Sequence, residues 1–290
     1  MALPRDVSMA SNNDDLSGPH ARPDTVSALE RGIAVLRCFD EDRRVLSPTE
    51  LARLTGIPRP TVARLAGTLV TLGLMKQEQG SDRVMLGPGV VSLARVFLAG
   101  LDVRAIARPH MQALAESAGG SVYLAVRDGL EMVLIEACRP RSSMLAARLD
   151  VGSRAPMANS ALGRAYLSAV DPAERGALIE SLRLARGSEW GSLEPGLSRA
   201  LDEGERLGYC LSAGEFHREI NSVSVPLVGP NGDVMALNCG SAAFVFSEEH
   251  LRRKIAPRLM VMARTLAREI GGHVPPATQH PEGDIDAIDR

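Results

Sequence analysis

Between Leu51 and Gln77 the charged side chains are Arg53, Arg59, Arg64 and Lys76, and no Asp or Glu interrupts them. Thr61, Arg64, Thr68 and Thr71 recur at three- and four-residue steps, which puts them on one face of a helix. Guanidinium, ammonium and hydroxyl groups gathered this way suit a polyanion, because they neutralise phosphate charge and donate hydrogen bonds to it. The remaining reactive types make a poorer set. Cys239 or Ser241 could act as a nucleophile with His217 or His250 as base, but no G-x-S-x-G elbow and no H-E-x-x-H pair occurs, and the six histidines are scattered. Gly87-Pro88-Gly89 is too short for a dinucleotide loop. Cys38, Cys138, Cys210 and Cys239 lie far apart with no C-x-x-C pair, so reduced thiols are expected, without disulfide, metal or cofactor.

Period and capping residues mark the elements that hold the cationic face. Val26, Leu29, Ile33 and Leu36 predict a first amphipathic helix reaching Phe39. Ser47-Pro48-Thr49-Glu50 is a capping box with Pro at the first helical position; Leu51 and Leu54 follow, and Gly56 stops the helix. A third helix over 60–72, closed by Gly73, would pack Val62, Leu65, Leu69 and Leu72 inward and turn the threonine and arginine face outward. Strand-like runs at 74–77 and 83–86 flank a turn at 79–82 and predict a wing. Residues 25–87 thus read as a winged helix-turn-helix, the unit that places a helix in the major groove of double-stranded DNA. Arg59, Thr61, Arg64 and Thr68 would approach base edges and phosphates, with Arg53 and Lys76 beside them.

The rest of the chain predicts a linker or dimerisation helix at 88–102 and an α+β domain at 103–272. Its strands are expected at 121–127 and 131–137, joined at Asp128-Gly129, then at 209–212, 220–228 and 233–239, the last two joined by Pro230-Asn231-Gly232-Asp233. Helices are expected at 160–169, 172–184, 193–207 and 247–270. Residues 1–24 and 273–290 are polar and Pro-rich and read as disordered tails.

Composition agrees with two folded domains: 290 residues, 45% hydrophobic and 23% charged. A 3% aromatic content argues against a single-strand RNA reader or a carbohydrate module. The net charge of -2 means that any basic surface is local. No uncharged apolar stretch is long enough to span a membrane and no apolar leader opens the chain, so a cytoplasmic location without membrane partner is expected.

Over residues 25–272 the chain resembles the IclR family of bacterial transcription regulators. The likeness is carried by Leu29-Glu30-Arg31-Gly32-Ile33, Pro60-Thr61-Val62-Ala63-Arg64-Leu65, Leu72-Gly73-Leu74, the run from Pro156 to Ala165 (PMANSALGRA), Gly208-Tyr209, Val225-Pro226-Leu227 and Gly232-Asp233-Val234-Met235-Ala236-Leu237. The resemblance implies a GAF-like C-terminal effector-binding domain and assembly as a homodimer or homotetramer on a pseudopalindromic operator. It also implies a pocket for a small organic acid, formed by Ser160, Ala161 and Leu162 at a helix start, Ser212, and the facing strands at Ser222, Cys239 and Ser241. An exposed helix start offers N–H groups to a carboxylate. The segment 215–226 (EFHREINSVSVP) and Leu237-Asn238 are similar to members that control aromatic-compound catabolism, which implies an aromatic acid or a degradation product. Two departures stand out: Arg59-Pro60-Thr61 where the family often has Lys-Ser-Thr, and Ser222 where it often has Cys. The rival readings are an adaptor, opposed by the intact cationic face, and a hydrolase-like enzyme using the C-terminal pocket, opposed by the missing motifs.

Overall fold

A computed structural model describes residues 26–141 and 149–279. The expected tail at 1–24, and 280–290 of the expected C-terminal tail, lie outside the described residues. The chain divides into two compact units between Gly100 and Leu101.

The first unit opens with α1 (Ser27–Leu36), α2 (Pro48–Thr55) and α3 (Arg59–Thr71). The capping box forms as expected: Ser47 Oγ accepts from the Glu50 N–H at 3.2 Å, and Ser47 N–H donates to Glu50 Oε2 at 2.8 Å. Gly56 and Gly73 take left-handed backbone at φ +70° and +71°, which only glycine adopts without strain. The core gathers Val35, Leu46, Leu51, Ile57, Val62, Ala66, Leu69, Met75 and Val84. Two expected stripes shift. In α3 the buried residues are Val62, Ala66 and Leu69, whereas Leu65 is half-buried and Leu72 is the exposed C-cap residue. At roughly 100° per residue, position 72 lies roughly 80° from position 62 and Ala66 only roughly 40°, so Ala66 completes the packed stripe. In α1, Gly32 and Val35 are buried while Val26, Leu29 and Ile33 are exposed.

The wing is the antiparallel pair β1 (Met75–Gln77) and β2 (Val84–Leu86), joined by Leu46, which exchanges both backbone hydrogen bonds with Val84. Helix α4 (Gly89–Ala99) buries none of its residues.

The second unit begins with α5 (Asp102–Ala118) and contains a six-stranded antiparallel sheet. Its strands are β3 (Ser121–Asp128), β4 (Glu131–Cys138), β5 (Arg154–Pro156), β6 (Cys210–Ala213), β7 (Ile220–Val228) and β8 (Val234–Ala242), in the order β5-β4-β3-β8-β7-β6. The edge strand β5 went unread in the sequence, being three residues long and ending in proline. Helix α6 (Ala161–Ala169) lies on one face of the sheet and carries α8 (Trp190–Leu207) on its back, with α7 (Pro172–Arg186) and a 3-10 turn (Gly187–Glu189) beside it. The opposite face is covered by α5 and α10 (Ala256–Ile270), which continues from α9 (Glu248–His250) through a π-helical turn (Leu251–Ile255). The unit is α+β with a GAF-like sheet.

The expected C-terminal tail does not begin at residue 273. His273 exchanges two backbone hydrogen bonds of 2.9 Å with Val228, and the Thr278 and Gln279 amides donate to the Glu205 and Arg206 carbonyls at the end of α8. Those carbonyls lack helical partners, and the returning chain supplies donors for them.

Gly163 marks a tight approach in the unit, because a Cβ there would lie 2.2 Å from Met157 Cα. Gly163→Ala should therefore lower the melting temperature sharply. Gly176→Ala, in the exposed middle of α7 with open space around it, should stabilise the protein by about 1 kcal/mol. Calorimetry of both variants checks the pair, and equal effects would contradict this packing.

Candidate functional sites

Each cationic residue expected at the first site lies on the surface of the first unit. Arg53 lies in the last turn of α2, Arg59 starts α3, Arg64 and Thr68 follow on the outer face, and Lys76 projects from β1; all are exposed, and Thr61 is half-buried. Thr68 Oγ1 donates back to the Arg64 carbonyl at 3.1 Å, and Thr71 Oγ1 to the Gly67 carbonyl at 3.0 Å. Both hydroxyls keep acceptor capacity facing outward. Arg59 stands 3.7 Å from Asp82 on the wing turn. The surface has the geometry of a groove-reading helix flanked by a wing.

In the second unit the start of α6 packs over β6, β7 and β8. Ser160 is its N-cap: Ser160 Oγ accepts from the Gly163 N–H at 3.1 Å and leaves the Ala161 and Leu162 amides uncapped. The Ala161 and Leu162 side chains belong to the buried core, so they offer backbone only. Ser212 Oγ donates to the Asn159 carbonyl at 2.8 Å.

The strand register decides which side chains face α6. Ser212 pairs with Ser222 and Ser222 with Gly240, so these three share a face; Ser224 and Asn238 pair on the same face, as do Tyr123 and Asn238. That face meets α6, since Tyr123 and Ala236 share a core cluster with Leu162 and Ala165. Cys239 and Ser241 sit on the other face. Cys239 pairs with Val122 and Val223, and its thiol feels the charge of Arg258 on α10. Ser241 Oγ is buried without a hydrogen-bond partner among the described residues. The register brings Ser160, Ser212 and Ser222 together and removes Cys239 and Ser241 from the set. In their places stand Asn238, whose amide donates to Ser224 Oγ at 2.8 Å and to the Val223 carbonyl at 3.2 Å, and Gly240. Strand alternation could have identified them, had β8 been phased on Ala236.

An ion pair between a buried arginine and a more exposed glutamate locks this region. The Arg164 guanidinium, 2% exposed, donates to the Ala158 carbonyl at 3.1 Å and the Leu211 carbonyl at 2.8 Å, and it grips both carboxylate oxygens of Glu215.

The candidate nucleophile Cys239 is a buried thiol. Burial pushes the Cys239 and Cys210 thiols up to about 12, so neither supplies thiolate near neutral pH. His250 stacks on Phe246 at 5.3 Å. Among the described residues no group of His, Cys, Asp and Glu is arranged to hold a metal ion, and no helix is long and apolar enough to cross a membrane. Thiol titration of the native protein at pH 8 should show Cys38, the half-buried one, reacting first, with Cys138, Cys210 and Cys239 released only by denaturant. A second fast thiol would contradict the burial described here.

Comparison with known proteins gives concordant results. Residues 28–79 match the IclR helix-turn-helix domain, and residues 96–270 match the bacterial transcriptional regulator IclR C-terminal domain. The transcriptional regulator TsaQ1/TsaQ2 of Comamonas testosteroni is 32% identical over 87% of this chain and 91% of its own length. An IclR family transcriptional regulator from Brucella abortus superposes with a TM-score of 0.81 at 39% identity, covering 88% of this chain and 97% of that one. An IclR homologue from Microbacterium hydrocarbonoxydans, crystallised with 4-hydroxybenzoate, shares the fold with a TM-score of 0.63 at 23% identity, covering 84% and 97%. With both domains matched in order, the chain belongs to the IclR family of bacterial transcriptional regulators and is a DNA-binding transcriptional regulator.

Proposed function

We propose that the protein is a one-component regulator that binds a pseudopalindromic operator as a homo-oligomer and answers to a small organic acid. The observation that carries this reading is the outer face of α3, where Arg59, Thr61, Arg64 and Thr68 sit with Arg53 and Lys76 beside them on a helix-turn-helix held by its caps. A second copy of the chain is the expected cover for α4, which exposes Val91, Leu93, Val96 and Phe97.

The effector reading rests on the α6 start. Two uncapped amides and the Ser160 and Ser222 hydroxyls would supply donors for a carboxylate with a compact body, beside Ser212 and Asn238, whose own donors are already engaged within the protein. The 4-hydroxybenzoate complex of the Microbacterium homologue supports an aromatic acid as the first class to try. Occupancy would be passed to the DNA-binding unit through the α4 segment. By linkage, an acid that changes operator affinity must bind free and operator-bound protein with affinities differing by the same factor. Equal calorimetric affinities for the two forms would sink that mechanism.

Fluorescence anisotropy against the intergenic duplex upstream of the protein's own gene and against a scrambled duplex, over a salt series, tests the DNA reading. Preferential binding with a log–log slope of several units is expected. Arg64→Ala should weaken operator binding by about 5- to 150-fold, the range of one base contact, at an unchanged melting temperature. Lost stability in this variant would mean that Arg64 packs inward.

A further inference from the structure

One carboxylate stands at the edge of the cationic face. Asp82 Oδ2 lies 3.7 Å from Arg59 Nη2, joining the wing to the first residue of α3. The turn that presents Asp82 is braced. Glu78 N–H donates to the Arg83 carbonyl at 2.9 Å, Ser81 N–H to the Glu78 carbonyl at 3.2 Å, and Gln77 Nε2 to the Ser81 carbonyl at 2.8 Å. Ser81 Oγ donates to Glu78 Oε2 at 3.1 Å and accepts from the Arg83 N–H at 2.9 Å. Arg83 Nη2 then ties the wing to the Val45 carbonyl at 2.9 Å. The other partner is also constrained at its root, since Arg59 lies between Pro58 and Pro60, whose rings fix φ.

An ion pair this exposed adds little to stability, so its consequence lies in recognition. A guanidinium beside a carboxylate gains less from a phosphate, and the carboxylate itself is repelled by the DNA backbone. The fork keeps N–H groups for the two acceptors that guanine presents in the major groove, and that contact depends on direction more than on net charge. Building on the DNA-binding role proposed above, we infer that Asp82 is a positioning residue for specificity: it aims Arg59 at a base edge and suppresses sequence-independent binding.

The test uses the full chain and an operator that the wild-type protein selects from a pool of random duplexes, with a scrambled duplex as reference. If the wild-type protein enriches no sequence, the DNA-binding role falls, and this inference with it. Given an enriched operator, Asp82→Asn should tighten binding to the scrambled duplex by about 3- to 10-fold, steepen its salt slope by about one unit, and change operator affinity by less than about 2-fold. Discrimination then drops by about the same 3- to 10-fold, and Asp82→Glu restores it. In an Arg59→Ala background, Asp82→Asn should leave discrimination unchanged, which a general charge effect or a merely structural role would not produce. Unaltered discrimination in Asp82→Asn at the wild-type melting temperature overturns the inference, as does the same loss in the Arg59→Ala background.

Discussion

A guanidinium sealed from water organises the second unit. Arg164 is tolerable there only because its N–H groups meet two carbonyls and a carboxylate, and those acceptors come from three places: Ala158 ahead of α6, Leu211 in β6 and Glu215 in the loop after it. Neighbouring bonds repeat the same ties, from Asn159 Nδ2 to the Glu215 carbonyl at 3.0 Å and from Ser212 Oγ to the Asn159 carbonyl. Helix α8 can approach because it presents Gly196 at this point; a Cβ would come within 2.7 Å of Glu215 Oε1 and 3.0 Å of Arg164 Nη2. The position of the α6 start, and with it the amides it offers, follows from this one cation.

The DNA-binding unit was legible in the sequence because its signals are local. A capping box, two left-handed glycines and three- and four-residue steps in polar side chains each specify structure within a few residues. The ligand side was less so, because a pleated strand reverses its facing at every residue. The resemblance pointed to the correct strand, β8, yet a phase one residue out exchanges Asn238 and Gly240 for Cys239 and Ser241. Only the pairing of Asn238 with Tyr123 and of Gly240 with Ser222, about 115 and 18 positions away in the chain, fixes the phase, and no local pattern carries that information. For the same reason the segment at 273–279 read as a tail. Its prolines and polar residues look disordered until Val228 and the end of α8 are there to receive them.

Polar side chains on the outer face of α3 and on the α6-facing side of the sheet have opposite surroundings. The α3 arginines keep their water and owe the fold nothing, so the first unit can vary them without disturbing its core. Asn238 and Ser224 are buried and satisfy each other, so a change in one leaves the other with an unmet hydrogen bond. Operator preference can therefore drift more freely than ligand preference.

The order of strands has a consequence during synthesis. Strand β3 pairs with β8, whose residues follow it by more than a hundred positions, so the sheet cannot close until β8 has emerged, and α8 waits longer still for residues 278–279. The unit that holds the helix-turn-helix ends at Gly100. At about 5–20 residues per second, the ribosome takes roughly 10–35 s to pass from one point to the other. For that interval each nascent chain carries all the residues of its helix-turn-helix beside a sheet that cannot yet close.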